Sequence, residues 1–448
     1  MPLKFVFGPS GSGKSTYLYQ HVIEESEKYP LKNFIVLVPE QFTMQTQKDL
    51  VSMHPRHGIM NIDVLSFARL AYRVFEETGT KQIQVLDDEG KNLILRKIAG
   101  DYEDKLTVLK GNIKKLGYIS EVKSVISEFT QYDIGEEEMD EMLDHLDEES
   151  RLYYKLKDIR LLYAGFQDYL RERYITKEEL LDVLSSQVKE SELLKDSVVV
   201  LDGFTGFTPV QNRLILELMR CCREVWVTVT MDERENPYSY KHPYQLFGLS
   251  KQMVTTLVRM AGEDHIEVEE PVCLYGYPVK RFEKNQELAF LERNIFRYGA
   301  GRYDKAVENL EIHVAGNPRQ EADAVAEGIR RLVRKEQYRY RDIGVIVSDM
   351  NVYGDYLEQA FENYEIPVFM DHKRSILLNS FVEYIRSLLN MAEKNFSYES
   401  VFRFLRTNLA GFACEEVDEL ENYVLGLGIR GYKGWQNRWI RRYPYRQA

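Results

Sequence analysis

Cysteine is scarce in this sequence and is never spaced for metal binding. The four thiols, Cys221, Cys222, Cys273 and Cys414, form no CxxC pair, which excludes a disulfide scaffold and a self-contained protein metal cluster and fits a reducing cytoplasm. No run reaches about 18 uninterrupted apolar residues, so no membrane span is expected. Met1 leads directly into the apolar stretch 3–7 and a glycine loop, leaving no room for a cleavable signal helix. Positive charge is short as well: 59 Lys and Arg against 71 Asp and Glu give a formal net charge of -12. That balance excludes bulk attraction to nucleic acid but not a local basic channel, because the field in a groove follows the distribution of charge. What remains is a globular composition, 44% hydrophobic and 29% charged, unlike that of a disordered chain. At roughly 150 residues per domain, a chain of this length makes about three domains.

One motif is sharp. Residues Gly8, Pro9, Ser10, Gly11, Ser12, Gly13, Lys14, Ser15 and Thr16 contain the complete GxxxxGKS pattern, preceded by a short strand and followed by a predicted helix at 15–29. Glycines let the backbone wrap phosphate oxygens, and the helix N-terminus turns free N–H groups toward the same negative charge. In this reading Lys14 meets the β and γ phosphates of ATP and the Ser15 hydroxyl sits on Mg2+. Kinases, transporters and helicases share this loop, so it names the ligand better than the reaction.

The rest of the chain alternates. Apolar strands are predicted at 33–38 and 62–67, the second leading into a helix at 68–77, which supports a doubly wound α/β core. Residues 87–194 are helical in pattern and are expected to be an insertion; the acidic run 136–149 within them reads as solvated surface. Strands return at 197–202 and 224–230, with a helix at 210–222 between them. Asp202 closes the first of these strands, where a P-loop ATPase places its Mg2+-associated carboxylate. Cys221 and Cys222 read as core residues at a helix end, and 236–242 as a loop at the C-terminal edge of the sheet. A second α/β pattern is predicted, with strands at 310–314, 342–348 and 366–369 and helices at 318–335 and 353–362. From 377 the pattern is helical again, ending in Trp435, Arg438, Trp439 and Arg441, a stripe able to stack on bases and contact phosphates.

In this order the motifs resemble the UvrD-like superfamily 1 helicases, and more closely the AddB/RexB family of bacterial recombination nucleases. The resemblance rests on Phe7 to Lys14, on Ile35-Val36-Leu37-Val38-Pro39-Glu40-Gln41-Phe42-Thr43, on Val64-Leu65-Ser66-Phe67, and on Leu201-Asp202-Gly203-Phe204-Thr205-Gly206-Phe207-Thr208-Pro209. Asn317-Pro318-Arg319-Gln320-Glu321-Ala322, Ile343 to Val347 and Ile366-Pro367 extend it along the chain. It implies a P-loop NTPase fold of RecA-like motor domains with helical insertions. The first motor domain would comprise 1–86 and 195–300, with its insertion at 87–194. The second would begin at 301–376, and 377–448 would start a second insertion, truncated here. Phe42, Thr43, Ser66 and Phe67 are then candidates for DNA contact.

The family's layout further implies an AddA/RexA-type helicase-nuclease partner, single- and double-stranded DNA as ligands, a bacterial cytoplasmic setting, and a motor that scans single-stranded DNA for a hotspot sequence. An iron-sulfur cluster and a nuclease Mg2+ are expected only in the full-length protein, and none of the four cysteines is assigned to the cluster. Several departures point to weak hydrolysis. No adenine-contacting segment precedes the loop, Gly203 takes the place of the catalytic glutamate, residues 231–235 keep the helicase Gly-Asp-x-x-Gln segment poorly, and Ser348 replaces the arginine expected near the γ phosphate. No catalytic residue is therefore assigned. Two other readings stand alongside that of a helicase-nuclease component: an independent P-loop ATPase or phosphotransferase, and a structural scaffold for an active helicase partner.

Overall fold

Period-two alternation in the first strand sends its side chains to two different cores. In β1 (Leu3–Gly8), Leu3, Phe5 and Phe7 pack on one face and Val6 on the other, as expected of a strand covered on both sides. The computed structural model describes residues 2–79, 84–113, 115–171, 174–299, 301–371 and 376–440. Contacts divide the chain into two units, Met1–Glu311 and Ile312–Ala448.

The first unit continues with α1 (Lys14–Lys28), β2 (Phe34–Leu37), α2 (Thr43–Met53), β3 (Ile62–Leu65), α3 (Phe67–Thr78) and β4 (Val85–Leu86). Next come the helices α4 (Asp88–Asp101), α5 (Leu116–Gln131), α6 (Glu136–Asp144) and α7 (Arg151–Leu170). The chain then returns through β5 (Ile175–Thr176), α8 (Leu180–Gln187), β6 (Val198–Leu201), α9 (Pro209–Cys221), β7 (Glu224–Thr230), α10 (Gly248–Glu263), β8 (Val272–Cys273) and α11 (Gln286–Asn294). Six strands form one parallel sheet in the order β3-β2-β6-β7-β1-β8. The α/β class and the parallel core expected from the sequence are present. One face packs Ile35, Leu37, Val199 and Val227 against α3, α8, α9 and α10; the other packs Val36, Val200 and Trp226 against α1 and α2.

Local signals set the helix starts. Ser66 caps α3 by accepting from Arg69 N, and Thr208 with Gln211 forms a capping box around Pro209 at the start of α9, satisfying N–H groups that the first turn leaves unpaired. Helices α4 to α7 share a core of their own that includes Leu95, Ile98, Ile126, Leu162 and Phe166. Within it the buried Asp158 carboxylate accepts from the backbone N–H groups of Thr107, Val108 and Leu109 at 2.8–3.1 Å. The chain enters and leaves this body at one place, where β4 pairs in parallel with β5, Val85 opposite Ile175. Just inside, the buried Lys91 ammonium meets Glu178 at 2.6 Å.

The second unit contains α12 (Pro318–Lys335), α13 (Met350–Asn363), α14 (Ser380–Glu393), α15 (Tyr398–Leu405), α16 (Cys414–Leu427) and α17 (Gly431–Gln436). Helices α12 and α13 pack through Ala326, Leu357 and Phe361. The segments predicted as strands at 310–314, 342–348 and 366–369 carry no ladder pairing among the described residues. Ile366 is buried and Ile343 and Val347 are half-buried against the core of α12 and α13, but Ile346 is 100% and Phe369 89% exposed, and Ile343, Val345, Val347, Ile366 and Val368 line a cavity of about 930 Å³. An apolar alternating run is competent to form a strand, but it becomes one only when a neighbouring backbone takes its N–H and C=O groups.

The described part of the aromatic and arginine stripe near 435–443 packs partly on the helices before it. Trp435 and Trp439 pack edge to face at 5.4 Å, and their indole N–H groups donate to Phe396 O and Gly434 O at 3.1 and 2.9 Å. Both are half-buried and pack against the core formed by α14 to α16; Arg441, Arg442 and Tyr443 lie outside the described residues. Among the described residues no helix is long and apolar enough to cross a membrane.

Candidate functional site

In an open parallel sheet, ligands meet the C-terminal ends of the strands. Here those ends bring the glycine loop after β1, Asp202 after β6 and Thr228 and Thr230 of β7 around one cavity of about 460 Å³. Because β7 lies between β1 and β6, Asp202 stands two strand spacings from β1, about 10 Å. That gap admits a phosphate and a cation.

The loop itself is built for close approach. Gly11 and Gly13 hold φ of 83° and 94°, the left-handed region that L side chains rarely occupy. A Cβ at Gly11 would stand 2.7 Å from Arg281 Cβ, and Arg281 N donates to Gly11 O at 3.0 Å. The short helical turn Lys280–Phe282 therefore lies directly over the loop, and Lys280 and Arg281 join Lys14 in lining the cavity.

Lys14 folds back so that Nζ donates to Gly8 O and Pro9 O, both at 2.9 Å. Burial pulls its pKa down to about 8, and Arg281 adds to the depression against the opposing charge of Asp202. Ser12 Oγ is shut off from solvent without a hydrogen-bond partner.

Asp202 is buried and held from two sides. Tyr19 O–H donates to one carboxylate oxygen at 2.7 Å and Thr228 O–H to the other at 2.6 Å. Thr46 of α2 lies 3.3 Å from the same tyrosine oxygen. Burial, with the nearby Asp202 charge, pushes the Tyr19 phenol well above its ordinary range, so it remains a donor.

Beside the cavity, Met231 N donates to Gly8 O, and the segment that follows forms a charge network. Asp232 accepts from Arg234, which holds its carboxyl down to about 2. Glu233 pairs with Arg293, and Glu235 with Lys251 and Arg297. Glu292 of α11 is pushed upward by burial and by the Asp232 charge.

The structure places Ser10, Gly11, Gly13, Lys14, Ser15, Thr16 and Asp202 in the lining of this one cavity, with Gly8, Pro9 and Ser12 in the loop beneath. The other four candidates lie along the same strand ends. Phe42 is 50% exposed. Thr43 is buried and donates to Glu40 O at 3.0 Å; Ser66 is the buried cap of α3. Phe67 is buried against Phe204 and Phe207, with ring centroids at 5.3 and 6.4 Å. Sequence reading missed Tyr19, Thr228, Lys280 and Arg281. The basic pair carried a faint signal, but it sits in a segment that reads as a connection, and the two hydroxyls carry none without the fold. Among the described residues, no three His, Cys, Asp or Glu side chains gather into a metal-binding group.

Residues 5–292 match the family model described as "ADDB, N-terminal". The chain is 44% identical over 450 residues to the B component of the ATP-dependent helicase/deoxyribonuclease of Lachnoclostridium phytofermentans, covering 99% of this chain and 39% of that protein. It is 36% identical over 449 residues to the protein of the same name from Caldanaerobacter subterraneus subsp. tengcongensis, covering 100% of this chain and 38% of that one. The chain thus spans about two fifths of the length of these curated relatives.

Proposed function

The chain belongs to the AddB family, and from that premise we propose that its glycine loop and Asp202 form the Mg-ATP site of a RecA-like motor domain. In this reading the motor is part of the AddB component of a bacterial helicase-nuclease that processes DNA ends for recombinational repair. The observation that carries the proposal is the arrangement of loop, helix N-terminus and buried carboxylate around one cavity, with β7 between the two strands that present them. Motif and spacing together match what a nucleoside triphosphate requires.

The donor set fits a hard divalent cation, since it offers hydroxyl and carboxylate oxygens. The unpartnered Ser12 Oγ adds a polar group waiting on the loop. Backbone N–H groups from Gly11 to Ser15 receive phosphate oxygens, Lys14 exchanges its two loop carbonyls for the β and γ phosphates, and Lys280 and Arg281 add positive charge from above. Ser15 and Asp202 would hold Mg2+, which would supply charge neutralisation on the phosphates.

Hydrolysis is expected to be slow. At φ 80°, Gly203 occupies a conformation in which a glutamate would be strained, and no carboxylate base follows Asp202. Such a loss costs factors of about 100 or more in rate. Single-stranded DNA is assigned to the same strand ends, with Phe42 as the exposed contact and Thr43, Ser66 and Phe67 behind it. The relatives are named as one component of a multi-chain enzyme, which supports assembly with an AddA/RexA-type helicase-nuclease partner. Their nuclease, with any iron-sulfur cluster, is assigned to the part of their length that this chain does not span.

Equilibrium binding of Mg-ATP to the protein and to Lys14→Ala, with turnover followed in the same samples with and without single-stranded DNA, tests the reading. The expected result is a loss of affinity of about 30-fold or more in the variant, as for a removed charge-assisted contact, with negligible turnover in both. Equal affinity in both proteins would remove the site, and brisk turnover would overturn the role given to Gly203.

A further inference from the structure

Resting on the nucleotide-site reading, we propose that Tyr19 is a positioning residue that, with Thr228, fixes the Asp202 carboxylate for a divalent cation. Tyr19 lies on α1 one turn after Ser15, and residues four apart share a helix face. The helix that presents the Ser15 hydroxyl to a cation therefore also steers the carboxylate that meets the cation from the opposite side.

The geometry leaves Asp202 little freedom. A carboxylate has about four lone-pair directions. Tyr19 occupies one on Oδ2 and Thr228 one on Oδ1, leaving the remaining direction on each oxygen for the cavity. Gly203 N donates to Thr228 Oγ1 at 3.3 Å, so the threonine is itself directed. Neither hydroxyl brings charge, so the full negative charge of Asp202 remains available to a cation. A lysine or arginine in either place would neutralise it. Tyr19 is buried among apolar residues of α1 and the sheet, where a side chain that served only packing would be a phenylalanine.

The test is the gain in nucleotide affinity that Mg2+ confers, read as the ratio of the ATP dissociation constants in EDTA and in Mg2+. It is measured on the full chain for wild type, Tyr19→Phe, Thr228→Val, Thr228→Ser, Ser26→Ala and Lys14→Ala. Tyr19→Phe and Thr228→Val should lower the Mg2+ gain about tenfold, the loss of one hydrogen bond to a charged group, while leaving affinity in EDTA within about twofold. Thr228→Ser should restore the gain. Ser26→Ala removes a buried hydroxyl from the same helix, one that donates to Ile23 O rather than to Tyr19 or Asp202, and should keep it. An undiminished gain in Tyr19→Phe overturns the proposal, as does an equal fall in Ser26→Ala, which would reduce the effect to packing. Lys14→Ala separates the two readings: it should lower affinity in EDTA as well as in Mg2+. Absence of any nucleotide binding by wild type overturns both.

Discussion

The two units carry the same kind of sequence and do different things with it. In the first, Phe34 to Leu37 and Val198 to Leu201 run side by side and every residue of both is buried. In the second, Ile343 to Val347 has as strong an apolar pattern, yet it pairs with nothing and leaves Ile346 fully exposed. The difference lies in the company the segments keep. A strand's stability comes from cross-strand neighbours and from layers over each face, and only the first unit has both among its described residues. The unit with a completed sheet is also the one with ordered strand ends, and the candidate site is made of those ends.

The comparison can be broken most forcefully at Val227, fully buried in the centre of the sheet. Val227→Asp places an unpaired charge where no partner exists and should cost on the order of 4–5 kcal/mol or more. The measurement is chemical denaturation followed by far-UV circular dichroism. A loss below about 1 kcal/mol would mean that the first unit's sheet is no better supported than the second unit's segments.

A smaller effect sharpens what the buried strand ends do to charge. Lys14 titrates near 8 in the free protein, and a bound polyphosphate favours its protonated form. Bound protein therefore holds the proton at pH values where free protein has lost it. Nucleotide affinity should be full below about pH 8 and fall by up to tenfold per pH unit above it, until the bound-state pKa is reached. Calorimetric titration in two buffers of different ionisation enthalpy would show proton uptake over that range. Flat affinity from pH 7.5 to 9.5 would mean that burial does not hold Lys14 below its ordinary range in the free protein.

The smallest effect is expected in the second unit. Ile346→Asp should change stability by no more than about 0.5 kcal/mol, because its side chain already lies in water. A loss comparable to that at Val227 would show that this segment is packed in solution.

Legibility followed the range of each cause. The glycine loop, β1, β2, β6 and β7 could be read because each announces itself within a few residues. The start of α12 was equally plain, since Asn317 and Pro318 are a cap and a first-turn residue in sequence. By contrast β8, only Val272 and Cys273, is too short to carry a period, and it exists because β1 offers an edge. Nothing local marks Tyr19 on α1, since its partner Asp202 is 183 residues away. Trp435 and Trp439 are ambiguous in sequence for a related reason: aromatics beside arginines suit a nucleic-acid surface and the flank of a small helical core equally well, and their contacts with Phe402 and Tyr423 come from the fold. At the strand ends, nearness along the chain and nearness in space agree for the loop and part company for everything that surrounds it.

The short pair β4 and β5 has a reach beyond its two residues per strand. By setting the outgoing and incoming chain one strand spacing apart, about 4.8 Å, it brings the two ends of the helical body together beside the sheet. Closure entropy grows only with the logarithm of loop length, so joining those ends costs little more for a long insertion than for a short one. The body is also tied to the sheet away from this pair, where Arg213 of α9 meets Asp133 just past α5, so a change among its helices reaches α9 as well as the two strands.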